Sequence, residues 1–229
     1  MRKRIFAYII NIAALLALSF SAFAQGPKKE ELKVPKEAFP LYNGTFVGVD
    51  LYGLGNNMFG SSFMNSEVSV DVNLKNRFFP VLEVGYGKVE DEEDGVSYSS
   101  SAPYFRIGMN YNMMFKKKSM SHLYLGARYG FSTLSYDVKG TVLDDLYSGE
   151  VPFEYMGEKT NAHWMELVFG LRAQVYKNFL MGWSIRYKAR FSVKENIHST
   201  PWYIPGFGEN KSSNFGVTYS LIYKLPFKK

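Results

Sequence analysis

Eight stretches of this chain alternate apolar residues with small or polar ones at period two, and in every stretch one of the two faces is free of charge. They run from Gly44 to Tyr52, Glu67 to Leu74, Val81 to Gly87, Phe105 to Tyr111, Leu123 to Ser132, Met165 to Val175, Met181 to Ser192 and Phe215 to Tyr223. Successive side chains of a strand point to opposite sides, so this period predicts strands with one apolar and one polar face. After residue 24 nothing offers the roughly 20 consecutive apolar residues of a spanning helix.

Alternation alone fits a soluble sandwich as well as a membrane barrel, and the composition of the two faces separates them. One parity collects residues such as Val47, Val49, Val68, Val70, Leu82, Ile107, Leu125, Leu167, Phe169, Trp183, Ile185 and Val217, none charged. The other carries Asp50, Glu67, Asp71, Glu83 and Glu166 with Arg106, Arg128, Arg172, Arg186, Lys188 and Arg190, five acids against six bases. A lipid-facing Arg or Lys at the bilayer midplane costs about 2–4 kcal/mol. The uncharged parity is therefore expected to face lipid and the charged one to fill the interior as an ion-paired plug. Gly44, Gly48, Gly85, Gly87, Gly108, Gly126, Gly130, Gly170, Gly182 and Gly216 share the charged parity. The interior of eight strands is just wide enough for side chains, so long charged groups need such small neighbours.

The connections around Asn76, Lys117 and Asn178 are read as short, and those containing Asn56, Asp91, Gly149 and Pro205 as long. Short periplasmic turns alternating with long outer loops predict an all-β, eight-stranded antiparallel up-and-down transmembrane β-barrel. Aromatics near the strand ends fit two interfacial girdles: Tyr42, Phe78, Phe79, Tyr111, Tyr176, Phe179 and Tyr223 on the turn side, with Tyr52, Tyr86, Tyr104, Phe131, Trp164 and Phe191 on the loop side.

Ahead of the strands, Arg2, Lys3 and Arg4 precede an apolar run from Ile5 to Phe20, and Ala22-Phe23-Ala24 supplies a small-residue cleavage site. Residues 1–24 are thus expected to be a secretory signal peptide. Residues 25–40, rich in Lys, Glu and Pro, read as a flexible periplasmic lead-in, and residues 41–229 as the barrel. The chain of 229 residues gives no reason for a second domain. It has no cysteine, which rules out disulfides, thiol nucleophiles and a lipoprotein anchor. Removing the signal lowers the formal charge from +6 to +3, and no basic stripe interleaved with aromatics suggests nucleic acid.

The last stretch places Phe215, Val217, Tyr219, Leu221, Tyr223, Leu225 and Phe227 on alternate positions. It resembles the terminal strand by which outer-membrane barrels are recognised for insertion, although Lys228 and Lys229 follow the final aromatic where members of that class usually end on it. Together with the signal peptide, the segments Phe79-Pro80-Val81-Leu82-Glu83-Val84-Gly85-Tyr86-Gly87 and Tyr104-Phe105-Arg106-Ile107-Gly108-Met109-Asn110-Tyr111 resemble an uncharacterised Bacteroidota family of small outer-membrane β-barrel proteins. The resemblance implies an outer-membrane location, lipid as surroundings and the barrel-insertion machinery as a partner in biogenesis. It implies no activity.

Candidate chemistry is sparse. His122, His163 and His198 lack metal-ligand spacing, and no cofactor is expected. Ser135, Asp137 and His163 share the outward parity at the loop end of the fifth and sixth strands. Some barrel enzymes that deacylate lipids use such a hydroxyl, imidazole and carboxylate. Glu90, Asp91, Glu92, Glu93 and Asp94 form an acidic run that would offer oxygens to a divalent cation, without the alternating spacing of a calcium loop. Lys116, Lys117 and Lys118 read as a solvated turn open to acidic partners or headgroups. The leading expectation is a non-enzymatic barrel presenting four exterior loops for surface interaction or envelope integrity. The alternatives are a lipid-facing deacylase, a narrow channel, and a soluble lipocalin-like carrier with its faces exchanged.

Overall fold

The computed structural model describes residues 39–51, 53, 63–144, 149–194, 196–197 and 199–226. The expected signal peptide and nearly all of the lead-in lie outside the described residues, as do Tyr52, Asn56, His198, Phe227, Lys228 and Lys229.

Among the described residues ten strands follow in chain order: β1 (Tyr42–Asp50), β2 (Phe63–Leu74), β3 (Phe78–Glu93), β4 (Val96–Asn112), β5 (His122–Asp144), β6 (Gly149–Tyr176), β7 (Phe179–Val193), β8 (Tyr203–Ile204), β9 (Gly208–Glu209) and β10 (Ser213–Lys224). Eight of them form one antiparallel up-and-down sheet in which each strand pairs with its sequence neighbours. β10 returns to β1 in the register Val47 opposite Tyr223 and Val49 opposite Leu221, so the sheet closes in a ring. β8 and β9 form a small ribbon inside the connection from β7 to β10.

The side chains sort across this ring by the alternation. Ile107, Leu167 and Trp183 stand outside with 61%, 61% and 63% of their surface exposed, while Glu67, Glu83, Arg106, Arg128, Glu166 and Arg186 are buried within. The interior is layered rather than uniformly charged. Phe46, Phe79, Leu180 and Ile222, with Met120 against them, make an apolar floor at the turn end. The charges occupy the middle, and Tyr104, Leu134, Tyr136, Trp164, Ile204 and Phe207 belong to an apolar roof at the loop end. Phe79, Tyr104 and Trp164, expected in the outer girdles, are therefore interior residues.

The glycines explain how large rings fit inside eight strands. Gly85 pairs across the strands with Tyr104, Gly130 with Trp164, and Gly170 with Tyr124. In each pair the ring covers its glycine so closely that an added Cβ would lie 2.1, 2.3 and 2.3 Å from it, respectively.

Two expected long loops are paired strand instead. β3 and β4 run on to a two-residue turn at Asp94-Gly95, where φ is +50° and +75°, the left-handed pair that a tight hairpin demands. β5 and β6 likewise stay paired out to Asp144 opposite Gly149. Beyond Val89 opposite Phe63 and Ala162 opposite Val193, β3 to β6 continue past the ring as a four-stranded wall. Polar residues on both faces, as in Ser97-Tyr98-Ser99-Ser100-Ser101, hide such strands from a reading based on apolar alternation. The connection around Lys117, read as short, spans residues 113–121.

Candidate functional site

The middle layer assembles because the register sets acids and bases at one height on neighbouring inward positions: Glu83 lies opposite Arg106, and Arg128 opposite Glu166. Arg186 of β7 reaches across to Glu83 at 2.7 Å, to Glu166 at 3.3 Å and to Glu67 at 3.3 Å. Arg106 meets Glu166 at 2.7 Å and also pairs with Glu67, while Arg128 meets Glu83 at 3.1 Å. Three carboxylates thus balance three guanidiniums. Hydrogen bonds occupy further valences: the Trp164 indole N–H donates to Glu166 at 2.7 Å, the Tyr104 hydroxyl to Glu67 at 3.0 Å, and Arg128 to Asn110 Oδ1 at 2.7 Å. Buried ions hold their charge only when paired and hydrogen-bonded in this way. Nearer the floor, Arg172 grips Asp71 through two parallel bonds of 2.6 and 3.0 Å. A cavity of about 30 Å³ remains among these groups, room for a water or two.

The other interior charges expected from sequence take different posts. Lys188, half-buried, donates to the carbonyls of Gly206 at 2.7 Å and Phe207 at 3.1 Å. Asp50 is half-buried and accepts from the Tyr219 N–H at 3.3 Å, and Arg190 is half-buried at the mouth.

Those bonds of Lys188 fasten the connection from β7 to β10, which was expected as an exterior loop around Pro205. It folds into the mouth of the ring instead, with Ile204 and Phe207 almost wholly buried. Arg106 donates to the Gly206 carbonyl at 2.6 Å, the Tyr98 hydroxyl donates to the Tyr203 carbonyl at 3.0 Å, and Asn65 donates to the Tyr203 hydroxyl at 3.3 Å. The Phe207 ring sits 5.8 Å from that of Trp164, and Trp202 stacks on Tyr98 at 5.3 Å. Gly206 has φ of +81°, and an added Cβ would fall 2.5 Å from the Tyr104 ring, so no larger residue fits there. Burial raises the Tyr98 phenol to about 12 and the Tyr203 phenol above its ordinary value. Above this plug lies a pocket of about 470 Å³, lined by Asp91, Glu93, Tyr98, Trp202, Glu209 and Lys211 among others. Sequence reasoning overlooked the plug. Its signal is the run Trp202-Tyr203-Ile204-Pro205-Gly206-Phe207, too apolar for a solvated loop.

A family model described as a domain of unknown function, DUF6048, matches residues 5–229. The chain belongs to that family. No curated protein matches it.

The sequence-derived candidates for chemistry in this DUF6048 chain are held apart. Ser135 pairs with Lys159, whereas His163 pairs with Phe131, four residues or about 13 Å farther along β5. His163 instead packs against the rings of Tyr129, Phe131 and Phe191, with its Nδ1 at 2.8 Å from the Tyr129 hydroxyl. Asp137 accepts from the Gly157 N–H at 2.7 Å beside a bulge in the pairing. Shared parity put these residues on one face but said nothing of their height. Along β3, Glu90 pairs with Lys88 at 2.6 Å, while Asp91 and Glu93 face the mouth pocket. Among the described residues no group of three or more His, Asp or Glu side chains converges on a metal position, so Glu90, Asp91, Glu92 and Asp94 form no cage. His122 belongs to the floor, stacked on Phe79 at 5.0 Å with its Nδ1 at 2.9 Å from the Met120 carbonyl.

Proposed function

We propose that this chain is a non-enzymatic outer-membrane β-barrel, exported by its N-terminal signal, that displays the β3–β6 wall and the plugged mouth as a surface for interaction or envelope integrity. One observation carries the reading: ionic groups of the ring pair inside it, while its outward positions form a charge-free belt. On β6 that belt runs from Met165 to Val175, each of the larger residues exposed. Ten steps of about 3.3 Å, tilted by roughly 40°, rise about 25 Å, the height of an outer-membrane apolar band. Exposed Tyr86, Phe131 and Phe191 lie toward one edge of the belt, and exposed Phe78, Tyr176 and Phe179 toward the other, as interfacial girdles do.

A lipocalin-like carrier needs an apolar, hollow interior, and the ion-paired layer with its 30 Å³ cavity argues against it. Specificity then resides in the wall and mouth.

The test is fractionation of envelopes followed by electrophoresis with and without boiling. Recovery with the outer membrane and a heat-dependent mobility shift is the expected result. Recovery in the soluble periplasm without a shift would refute the reading.

A further inference from the structure

The two ends of the ring differ in charge. The wall carries acids, including Glu90, Asp91, Glu92, Glu93, Asp94, Glu154 and Glu158, against few bases. The turn end is the reverse. Lys75, Arg77, Lys116, Lys117, Lys118 and Lys177 are all exposed there, and the segments 73–80, 110–124, 173–180 and 222–229 contain no Asp or Glu. Among the described residues Lys75, Arg77, Lys116, Lys117 and Lys177 form no ion pair. In the sequence, residues 25–38 hold Lys28, Lys29, Lys33 and Lys36 against Glu30, Glu31 and Glu37 and bring no net negative charge.

The placement of these cations says what they meet. The Arg77 guanidinium lies over three rings, 5.2 Å from Phe78, 5.3 Å from Tyr111 and 4.8 Å from Phe115, and Lys177 lies 5.0 Å over Tyr176. Phe78 and Tyr176 are exposed aromatics at the edge of the apolar belt. An aromatic at the edge of an apolar band with a cation held against it sets the charge at headgroup depth. The cations are also spread over the β2–β3, β4–β5 and β6–β7 turns, which alternate around the perimeter of the ring. Cations on every side of the ring fit a surrounding leaflet, which meets the whole perimeter at headgroup depth.

We propose that this basic rim, with the Arg77 aromatic cluster as its best-formed subsite, binds the phosphates of anionic phospholipids in the leaflet at the turn end. The proposal rests on the membrane-spanning reading above. The rim recognises phosphate charge at membrane depth, and the belt above it takes the acyl chains.

The experiment reconstitutes the full mature chain into vesicles and into nanodiscs of phosphatidylcholine with roughly a quarter phosphatidylglycerol. Flotation and the heat-dependent mobility shift first establish insertion, and native mass spectrometry then reads the lipids that stay bound. The expected result is retention of phosphatidylglycerol over phosphatidylcholine by about fivefold or more relative to the mixture, what one cation near an anionic surface supplies. Replacing Arg77, Lys116, Lys117 and Lys177 together by Gln is expected to bring the ratio down to that of the mixture with the mobility shift intact. Lys88→Gln with Lys139→Gln, toward the end of the ring opposite the turns, is expected to leave it unchanged, and Arg77→Lys to preserve most of it. Equal retention of the two lipids by the inserted native chain overturns this proposal alone. Failure to float with either lipid overturns the membrane reading, and this proposal with it.

Discussion

A Cβ added at Gly130 would stand 2.3 Å from the Trp164 indole, which has nowhere to retreat because it is wholly buried and bonded to Glu166. Overpacking of this kind costs about 1–3 kcal/mol. Gly130→Ala is therefore expected to lower the unfolding free energy, read from urea titration of the folded chain in micelles, by that amount, and Gly95→Ala, with open space around it but a left-handed φ, by less. The ion pairs make a sharper demand. Arg172→Met leaves Asp71 buried without its partner and is expected to cost about 3–5 kcal/mol, whereas Asp71→Leu combined with Arg172→Met is expected to recover most of the loss. Similar midpoints for the single and double variants would mean that the Asp71–Arg172 pair is not what holds that site. At this scale the sequence was informative about direction and silent about height: parity sent Glu83, Arg106 and Arg186 inward, but only the register shows that Ser135 and His163 stand too far apart to meet. The glycines were legible as a set, and their individual aromatic partners were not, because Gly85 and Tyr104 are joined by pairing rather than by proximity in the chain.

Elements of the ring differ in what anchors them, and the plug depends on the most specific contacts. Tyr98 is held where a phenolate would be buried, so its phenol titrates near 12 instead of about 10. The folded state then retains a proton that the unfolded chain gives up. The contribution of this contact is full below about pH 10 and is lost as the pH rises through about 12. Alkaline titration followed by tyrosinate absorbance and tryptophan fluorescence is expected to show a late step coupled to Trp202, which stacks on Tyr98, and Tyr98→Phe is expected to remove that step. A fluorescence transition unchanged in Tyr98→Phe would assign it elsewhere. β3 to β6 illustrate the opposite limit of legibility. Their outer halves lack apolar alternation, and continuous backbone pairing such as Ser97 with Lys139 carries them beyond the belt. The strand cores were readable since each must present one apolar face, but the plug obeyed tertiary packing against Trp164 and Tyr104 instead of any local period.

For the whole molecule, the consequence of floor, charged layer and roof is that three seals lie in series along one axis. Deleting residues 200–211 and bridging the gap with a short Gly-Ser linker removes Ile204 and Phe207 from the roof and frees the Gly206 carbonyl's donors, Arg106 and Lys188. It leaves Glu67, Glu83 and Glu166 balanced by Arg106, Arg128 and Arg186, and it leaves Phe46, Phe79, Leu180 and Ile222 in place. In a planar bilayer the native chain and the deletion variant are both expected to show no single-channel conductance, because eight strands enclose a space that the remaining side chains still fill. A further change of Phe46 and Phe79 to Ala in the deletion variant opens the floor but not the ion-paired layer, and it too is expected to stay closed. Conductance appearing on deletion of the plug alone would locate the only effective seal at the mouth, and the charged layer would then have to be wet and mobile rather than packed. That outcome would turn the β7–β10 connection from a structural stopper into a gate, and the acid-rimmed pocket above it, bounded by Asp91, Glu93 and Glu209, into the entrance of a path.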